Sequence, residues 1–388
     1  MKALGRFALV IFLLAFVPKA FAQTEGDALG KLLDPLIEKG LHDDPTPGLA
    51  IGVVHNGRVV YARGFGKMAL GPSGKPVTPE TVFHMASVTK PFVATCVMQL
   101  WEQGKVDLDA PVVKYLPYFR LSDPRYRAIT VRQMLTHTSG MPDVEDYEWD
   151  KPQYDDAALE RYVKGLAPLK LMWAPGTKMA YSNIAFEVLG DLVAKVSGMT
   201  FEEYADTHIL KPLGMASSTL LIKQADPAKL AQGYTRPRDG GYESIHPVPA
   251  YPYNRPHTPS SNLHSNVDDM LRWATANLNH GELDGKRILK VSTYDLMWKP
   301  AVDVEFCKGP DNTDCKKPGG QVGISWFIET KEGHTVISHG GGDDGFATGI
   351  VLIPDLGVGI VFMQNSLHPG MTVARSAQHE LLQFYLHK

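Results

Sequence analysis

Cysteine is scarce in this chain: three in 388 residues, at positions 96, 307 and 315. Neither Cys-x-x-Cys nor His-Glu-x-x-His occurs, so the ligand spacing of a zinc site is missing, and no metal or other cofactor is expected. There is no run of lysine or arginine and the net charge is −3, which argues against a nucleic-acid partner. Beyond the N-terminus, no apolar run reaches the ~20 residues that a membrane-spanning helix needs. No internal repeat of the solenoid kind is present. What remains is 44% hydrophobic and 21% charged, a globular balance with material for one to three domains.

The N-terminus reads as a signal peptide, residues 1–22. Lys2 and Arg6 give a positive start, residues 7–17 are apolar, and Ala20-Phe21-Ala22 is a small-x-small cleavage site. A mature chain starting near Gln23, in the periplasm or the medium, is expected, with no membrane span left after cleavage. Export implies oxidising surroundings. Cys307 and Cys315 flank a loop-like stretch that a disulfide could close. Cys96 falls on the apolar face of a helical pattern and reads as a buried small hydrophobe.

Texture divides the rest. Residues 49–65 hold two β-rich runs around Asn56-Gly57, a strong hairpin signal. Residues 322–328, 335–338, 347–352 and 358–363 are strand-like, and 372–386 is helical in spacing. The middle differs: 92–103, 131–135, 155–165, 184–196, 201–209 and 267–278 carry helical periodicity between proline-rich connections. The simplest arrangement is an α/β (α+β) fold. An antiparallel sheet from both chain ends (about 23–90 and 280–388) is flanked by helices, with a mostly helical insertion at about 91–279. A ligand cleft is expected where the two meet.

Ser87-Val88-Thr89-Lys90 sits where Val93, Cys96, Val97 and Leu100 begin a helical spacing. Serine and lysine three apart share a helix face. A serine hydroxyl needs a base, and a lysine can be one if burial lowers its pKa. Alone the pattern is weak, because Ser-x-x-Lys arises by chance roughly once in a chain this long. It occurs only here, however, and at a helix start.

Tyr181-Ser182-Asn183 is the sole Tyr-x-Asn and precedes an apolar helix. A phenol beside a cationic lysine is expected to have a lowered pKa and to relay protons. Asn183 offers a donor and an acceptor to a substrate amide. The plainer alternative is a packed tyrosine and a helix-capping asparagine. Ser338-His339-Gly340-Gly341-Gly342 ends a strand-like run. Its glycines would let a substrate backbone lie along the strand, and an amide there could join that of Ser87 in an oxyanion hole. His55-Asn56-Gly57 and Lys331-Glu332-Gly333 have similar patterns, but turn chemistry accounts for both.

Together, Ser87-x-x-Lys90, Tyr181-x-Asn183 and His339-Gly340-Gly341 resemble the serine β-lactamase and penicillin-binding protein superfamily. The likeness is greatest to its class C branch, with the D-alanyl carboxypeptidases, D-aminopeptidases and esterases of that fold. Leu135-Thr136-His137-Thr138-Ser139-Gly140, Ala174-Pro175-Gly176 and Pro212-Leu213-Gly214-Met215 are further family-like runs. The similarity spans about residues 30–385.

The resemblance implies a β-lactamase/transpeptidase-like fold and an acyl-enzyme on Ser87. Lys90 would be base or proton relay, and Tyr181 general base or acid toward the leaving group. Asn183 and the 339–342 strand would hold the substrate. Short acyl esters, D-amino-acid peptides or amides and β-lactams are the implied substrates, a cell-wall peptide among them. A β-lactamase proper or a non-catalytic penicillin-binding receptor is the alternative.

Class C enzymes carry lysine where His339 stands, and a histidine is only partly charged near neutral pH. That favours an esterase or peptidase. Asp343 and Asp344 read as a solvated turn, or as carboxylates that repel acidic substrates and attract cationic ones. The run Ser260-Ser261-Asn262-Leu263-His264-Ser265 stands where relatives often have glycines and suggests no function from sequence alone.

Overall fold

The computed structural model describes residues 17–43, 46–72, 74–237, 244–307, 315–316, 319–367 and 372–387. Most of the predicted signal peptide therefore lies outside the described residues. Helix α1, Val17–Asp43, begins within it, so the expected cleavage point falls inside that helix.

Eight strands form one sheet: β1 Gly48–His55, β2 Arg58–Gly66, β3 Val302–Asp303, β4 Gln321–Val322, β5 Phe327–Lys331, β6 His334–Asp343, β7 Phe346–Ile353 and β8 Val358–Gln364. Their order is β2-β1-β8-β7-β6-β5-β4-β3, antiparallel throughout, so the first hairpin docks on the last strand. Asn56 and Gly57 take φ of 49° and 72°, the left-handed pair that a two-residue hairpin turn requires. Residues 322–328 are not the single strand their composition predicts. Val322 pairs with Phe327 across a turn in which Ser325 has φ 66°, so the stretch is a hairpin.

β7 and β8 are buried along their whole length, which requires cover on both faces of the sheet. On one face lie α1 and the C-terminal helix, Thr372–Leu386. Leu29, Leu33 and Ile37 meet Leu49, Ile51, Ile360, Ala377 and Leu381 there. The other face packs against the helical middle: α2 Lys90–Glu102, α3 Val131–Leu135, α4 Ala158–Gly165, α5 Asn183–Ser197, α6 Phe201–Ala205, α7 Thr258–Ser261 and α8 Val267–Leu278. The stretch predicted as one helix at 201–209 instead passes from α6 into a wider turn at Asp206–Leu210.

Two helices fix the cleft. α2 is buried from Lys90 to Leu100, and Phe92 stacks on Trp273 of α8 at 4.0 Å between ring centroids. α5 starts where the Ser182 hydroxyl accepts the Ala185 amide at 3.1 Å, and it stops at left-handed Gly198. Ser182, rather than Asn183, is the cap, which frees the Asn183 side chain. Cys96 is buried and unpaired. The Cys307 backbone lies opposite that of Cys315 in a two-residue ladder; their side chains are outside the described residues.

Candidate active site

Ser87 lies in a single turn, Ala86–Thr89, that leads directly into α2. It is the one residue between 81 and 100 that is not buried. Ala86, just before it, is held at φ 48°, a conformation costly for a residue with a Cβ. The surroundings enforce it: the Met85 amide donates to Leu263 O at 2.7 Å, and the Thr348 hydroxyl of β7 donates to Met85 O at 2.7 Å.

Lys90 is fully buried and donates from Nζ to three oxygens: Ser87 Oγ at 2.8 Å, Asn183 Oδ1 at 2.5 Å and Ser260 O at 2.7 Å. Burial pulls its pKa down to about 8, against the opposing pull of Asp143, Asp343 and Glu187. Asn183, at the start of α5, donates from Nδ2 to Asp143 Oδ1 at 2.9 Å. Below Lys90 the Ser260 hydroxyl donates to Glu187 Oε1 at 3.1 Å, and Glu187 is paired with buried His257.

Tyr181 brings its ring to 5.0 Å from Lys90 Nζ, and its hydroxyl hydrogen-bonds Ser87. His137 stacks on that ring at 4.3 Å and accepts the Ser182 amide on Nδ1 at 3.3 Å. The lowered tyrosine pKa expected from sequence is not found. Burial pushes it up, and the bond to Ser87 offsets only part of this. The phenol therefore stays protonated. His137 is driven well below its ordinary value by burial and by Lys90 and His339, so it is a neutral platform.

β6 extends past β5. Ser338 pairs with Phe327, but residues 339–343 are paired only with β7, leaving their other edge open among the described strands. Gly341 is required there: a Cβ would come within 2.4 Å of Met85 O, so only a bare backbone can pass the Ser87 turn. His339 is buried and donates from Nδ1 to Gly340 O at 2.7 Å, while Nε2 has no protein partner. Burial, then Lys90, lower its pKa to about 3. It is a neutral imidazole, not the partly charged one expected.

Asp343 is not a solvated turn. Its carboxylate accepts from His84 Nε2 at 2.9 Å and from the Ser261 hydroxyl. Asp344 is exposed at the mouth, its pKa raised by partial burial and by Asp343. The 260–265 run thus has a place: Ser260 holds Lys90, Ser261 holds Asp343, and His264 packs on His84 at 5.5 Å.

All the motif residues thus meet in one cleft: Ser87, Lys90, Tyr181, Asn183, His339 and the glycines 340–342. Sequence reading missed Asp143, Ser260, and the Glu187–His257 pair. Asp143 alone had a signal, since it closely follows the family-like 135–140 run.

The β-lactamase family model matches residues 33–383. The chain is 28% identical to protein flp of Staphylococcus aureus over 86% of its own length, and spans only 62% of that longer relative. It is 29% identical to esterase EstB of Burkholderia gladioli, covering 82% of this chain and 92% of EstB. Among solved structures, the octameric penicillin-binding protein homologue from Pyrococcus abyssi superposes with a TM-score of 0.74 at 27% identity, covering 91% of this chain and 77% of that one. Because the match takes in every strand of the sheet and all three motifs of the cleft, this chain belongs to the β-lactamase family of serine hydrolases.

Proposed function

We propose that the chain hydrolyses short acyl esters or amides that carry no carboxylate, through an ester on Ser87. One observation carries this: Lys90 Nζ lies 2.8 Å from Ser87 Oγ, while its two other close acceptors are fixed oxygens. As a neutral amine, Lys90 donates its two N–H bonds to Asn183 Oδ1 and Ser260 O. Its lone pair then points at the serine hydroxyl. Lys90 takes the hydroxyl proton as Oγ bonds to the substrate carbonyl carbon. The Ser87 amide and an amide of the 340–342 strand face the oxygen that gains charge. Tyr181, kept protonated by burial, delivers its proton as the bond to the leaving group breaks, and the Lys90 ammonium restores it. Water then attacks the acyl-enzyme and regenerates Ser87.

The neutral state of His339 bears on the substrate. At the position where class C relatives keep a cation, this cleft has an imidazole that burial keeps uncharged, beside the carboxylates Asp343 and Asp344. A substrate carboxylate would have no fixed cation there. Esters, and D-amino-acid amides without a free carboxylate, fit better than β-lactams.

The test is a fluorophosphonate label, followed by a panel of p-nitrophenyl acetate, D-alanyl amides and nitrocefin. Wild type should be labelled at Ser87 and Ser87→Ala should not, with turnover falling about 10⁶-fold. Equal labelling of Ser87→Ala would refute the acyl-enzyme. Nitrocefin turned over faster than the neutral ester would refute the substrate assignment.

A further inference from the structure

Asp143 stands outside the motifs, yet its Oδ1 accepts three hydrogen bonds. They come from the Val144 amide at 2.9 Å, the Asn183 amide at 2.8 Å and the Asn183 side-chain Nδ2 at 2.9 Å. The third decides which way the Asn183 amide faces. The two ends of a carboxamide have nearly the same shape and opposite hydrogen-bonding character, and a carboxylate can only accept. With Nδ2 held on Asp143, Oδ1 is left to face Lys90, as observed at 2.5 Å. A flipped amide would turn N–H groups toward the lysine and lose an acceptor from a fully buried site. The amine would then be free to rotate its lone pair away from Ser87.

We infer that Asp143 is a positioning residue for Lys90: it locks the Asn183 carboxamide so that the lysine lone pair is aimed at Ser87. This rests on the acyl-enzyme reading given above. Asp143 acts through Asn183: its hydrogen bonds go to Val144 and Asn183, and none goes to Ser87 or Lys90. A purely structural role is the competing account, because Asp143 also accepts the first amide of α5, where a carboxylate is favourable. The N-cap of that helix is already filled by Ser182, so a second acceptor is not needed to start it.

Charge and geometry can be separated. All three bonds end on one oxygen, so Asp143→Asn keeps an acceptor in place and removes only the charge. Asp143→Ala removes both. The groups facing Lys90 are Asp143 from the 140–144 loop, Asp343 from β6, Glu187 from α5, and Tyr181, His137 and His339, of which the carboxylates favour the ammonium. Loss of the Asp143 charge therefore favours the free amine and moves the acid limb of kcat/KM to lower pH.

The experiment measures kcat/KM against pH for p-nitrophenyl acetate in wild type, Asp143→Asn, Asp143→Ala, Asn183→Ala and the double alanine variant, with melting temperatures alongside. Asp143→Ala should lose about 100-fold on the alkaline plateau, the scale of a misplaced catalytic group. The double variant should be no worse than Asn183→Ala. Asp143→Asn should keep most of the plateau and move its acid limb down. Losses that multiply in the double variant, a plateau kept by folded Asp143→Ala, or a limb in Asp143→Asn that stays or rises would each overturn the inference. If Asp143→Ala does not fold, Asp143→Ser, which also withdraws the acceptor from Asn183 Nδ2, is read on the same plateau in its place. Failure of wild type to label at Ser87 would instead overturn the acyl-enzyme reading, and this inference with it.

Discussion

The two faces of the sheet are buried to similar depth and filled differently. Against α1 and the C-terminal helix the core is mainly leucine, isoleucine, valine and alanine, with Tyr61, Phe362 and Tyr385 among them. Against the helical middle, equally inaccessible positions hold Lys90, His137, Asn183, Glu187, His257, Ser260, His264 and His339. Each of these gives up hydration, and several keep an atom without a protein partner: His339 Nε2, His137 Nε2 and both ring nitrogens of His264. The apolar face contributes stability through area removed from water. The polar face gives some of that back and gains chemistry, because a lysine is a base near neutral pH only where it is poorly solvated.

Substitutions can break that contrast, the most severe at the cleft. Lys90→Met keeps volume and removes the base, so kcat/KM should fall by about 10⁴-fold while the protein still folds, because removing a buried ammonium offsets the donor that Asn183 Oδ1 and Ser260 O lose. A strong loss of stability with retained turnover would reverse the assignment of the two faces. On the proposed mechanism the neutral amine is the active form, and burial brings the lysine pKa down to about 8. kcat/KM should therefore climb about tenfold per pH unit below that value and level above it. A flat profile between pH 6 and 8 would remove Lys90 as base.

On the apolar face, Leu33→Ala should cost about 2–5 kcal/mol in denaturant melts and leave kcat/KM unchanged wherever the protein is folded. An equal loss of activity would mean that the outer face also shapes the site.

The smallest effect concerns Asp191, two turns along α5 from Asn183. Burial raises its pKa to about 6 despite the Tyr118 hydroxyl donating to it at 2.8 Å. The folded chain therefore holds this proton between about pH 4 and 6, where the unfolded chain has lost it, and stability falls as pH rises through that window. Asp191→Asn should stabilise the protein by roughly 2 kcal/mol at pH 7 and by little at pH 4. Equal effects at both pH values would refute this origin.

The parts legible in the sequence are those where chemistry or local conformation demands a residue type. Ser87, Lys90, Tyr181 and the 339–342 strand, which the fold brings together, stand out in the sequence because few other residue types suit such chemistry. The first hairpin was readable because Asn56-Gly57 needs left-handed backbone. The illegible parts depend on distant chain segments meeting. Ser260 serves Lys90 through a backbone carbonyl, which any residue possesses. Asp143 matters only because α5 begins beside it. The Tyr181 pKa was misjudged because the lysine neighbour is visible in the motif, whereas the burial that outweighs it comes from the assembled fold. Residues 322–328 look like one strand in sequence because β-rich composition on both sides of a turn does not reveal the turn.

The open edge of β6 has a consequence for association between molecules. Unpaired strand edges recruit other strands, and long ones seed aggregation. This one is only five residues, about 17 Å. β5 blocks one end, and the exposed Asp344 follows the other. Its glycines offer a visiting strand no side chains to pack against. A long chain cannot zip onto it, so the protein can keep a template for backbone pairing at its surface without inviting its own copies to use it.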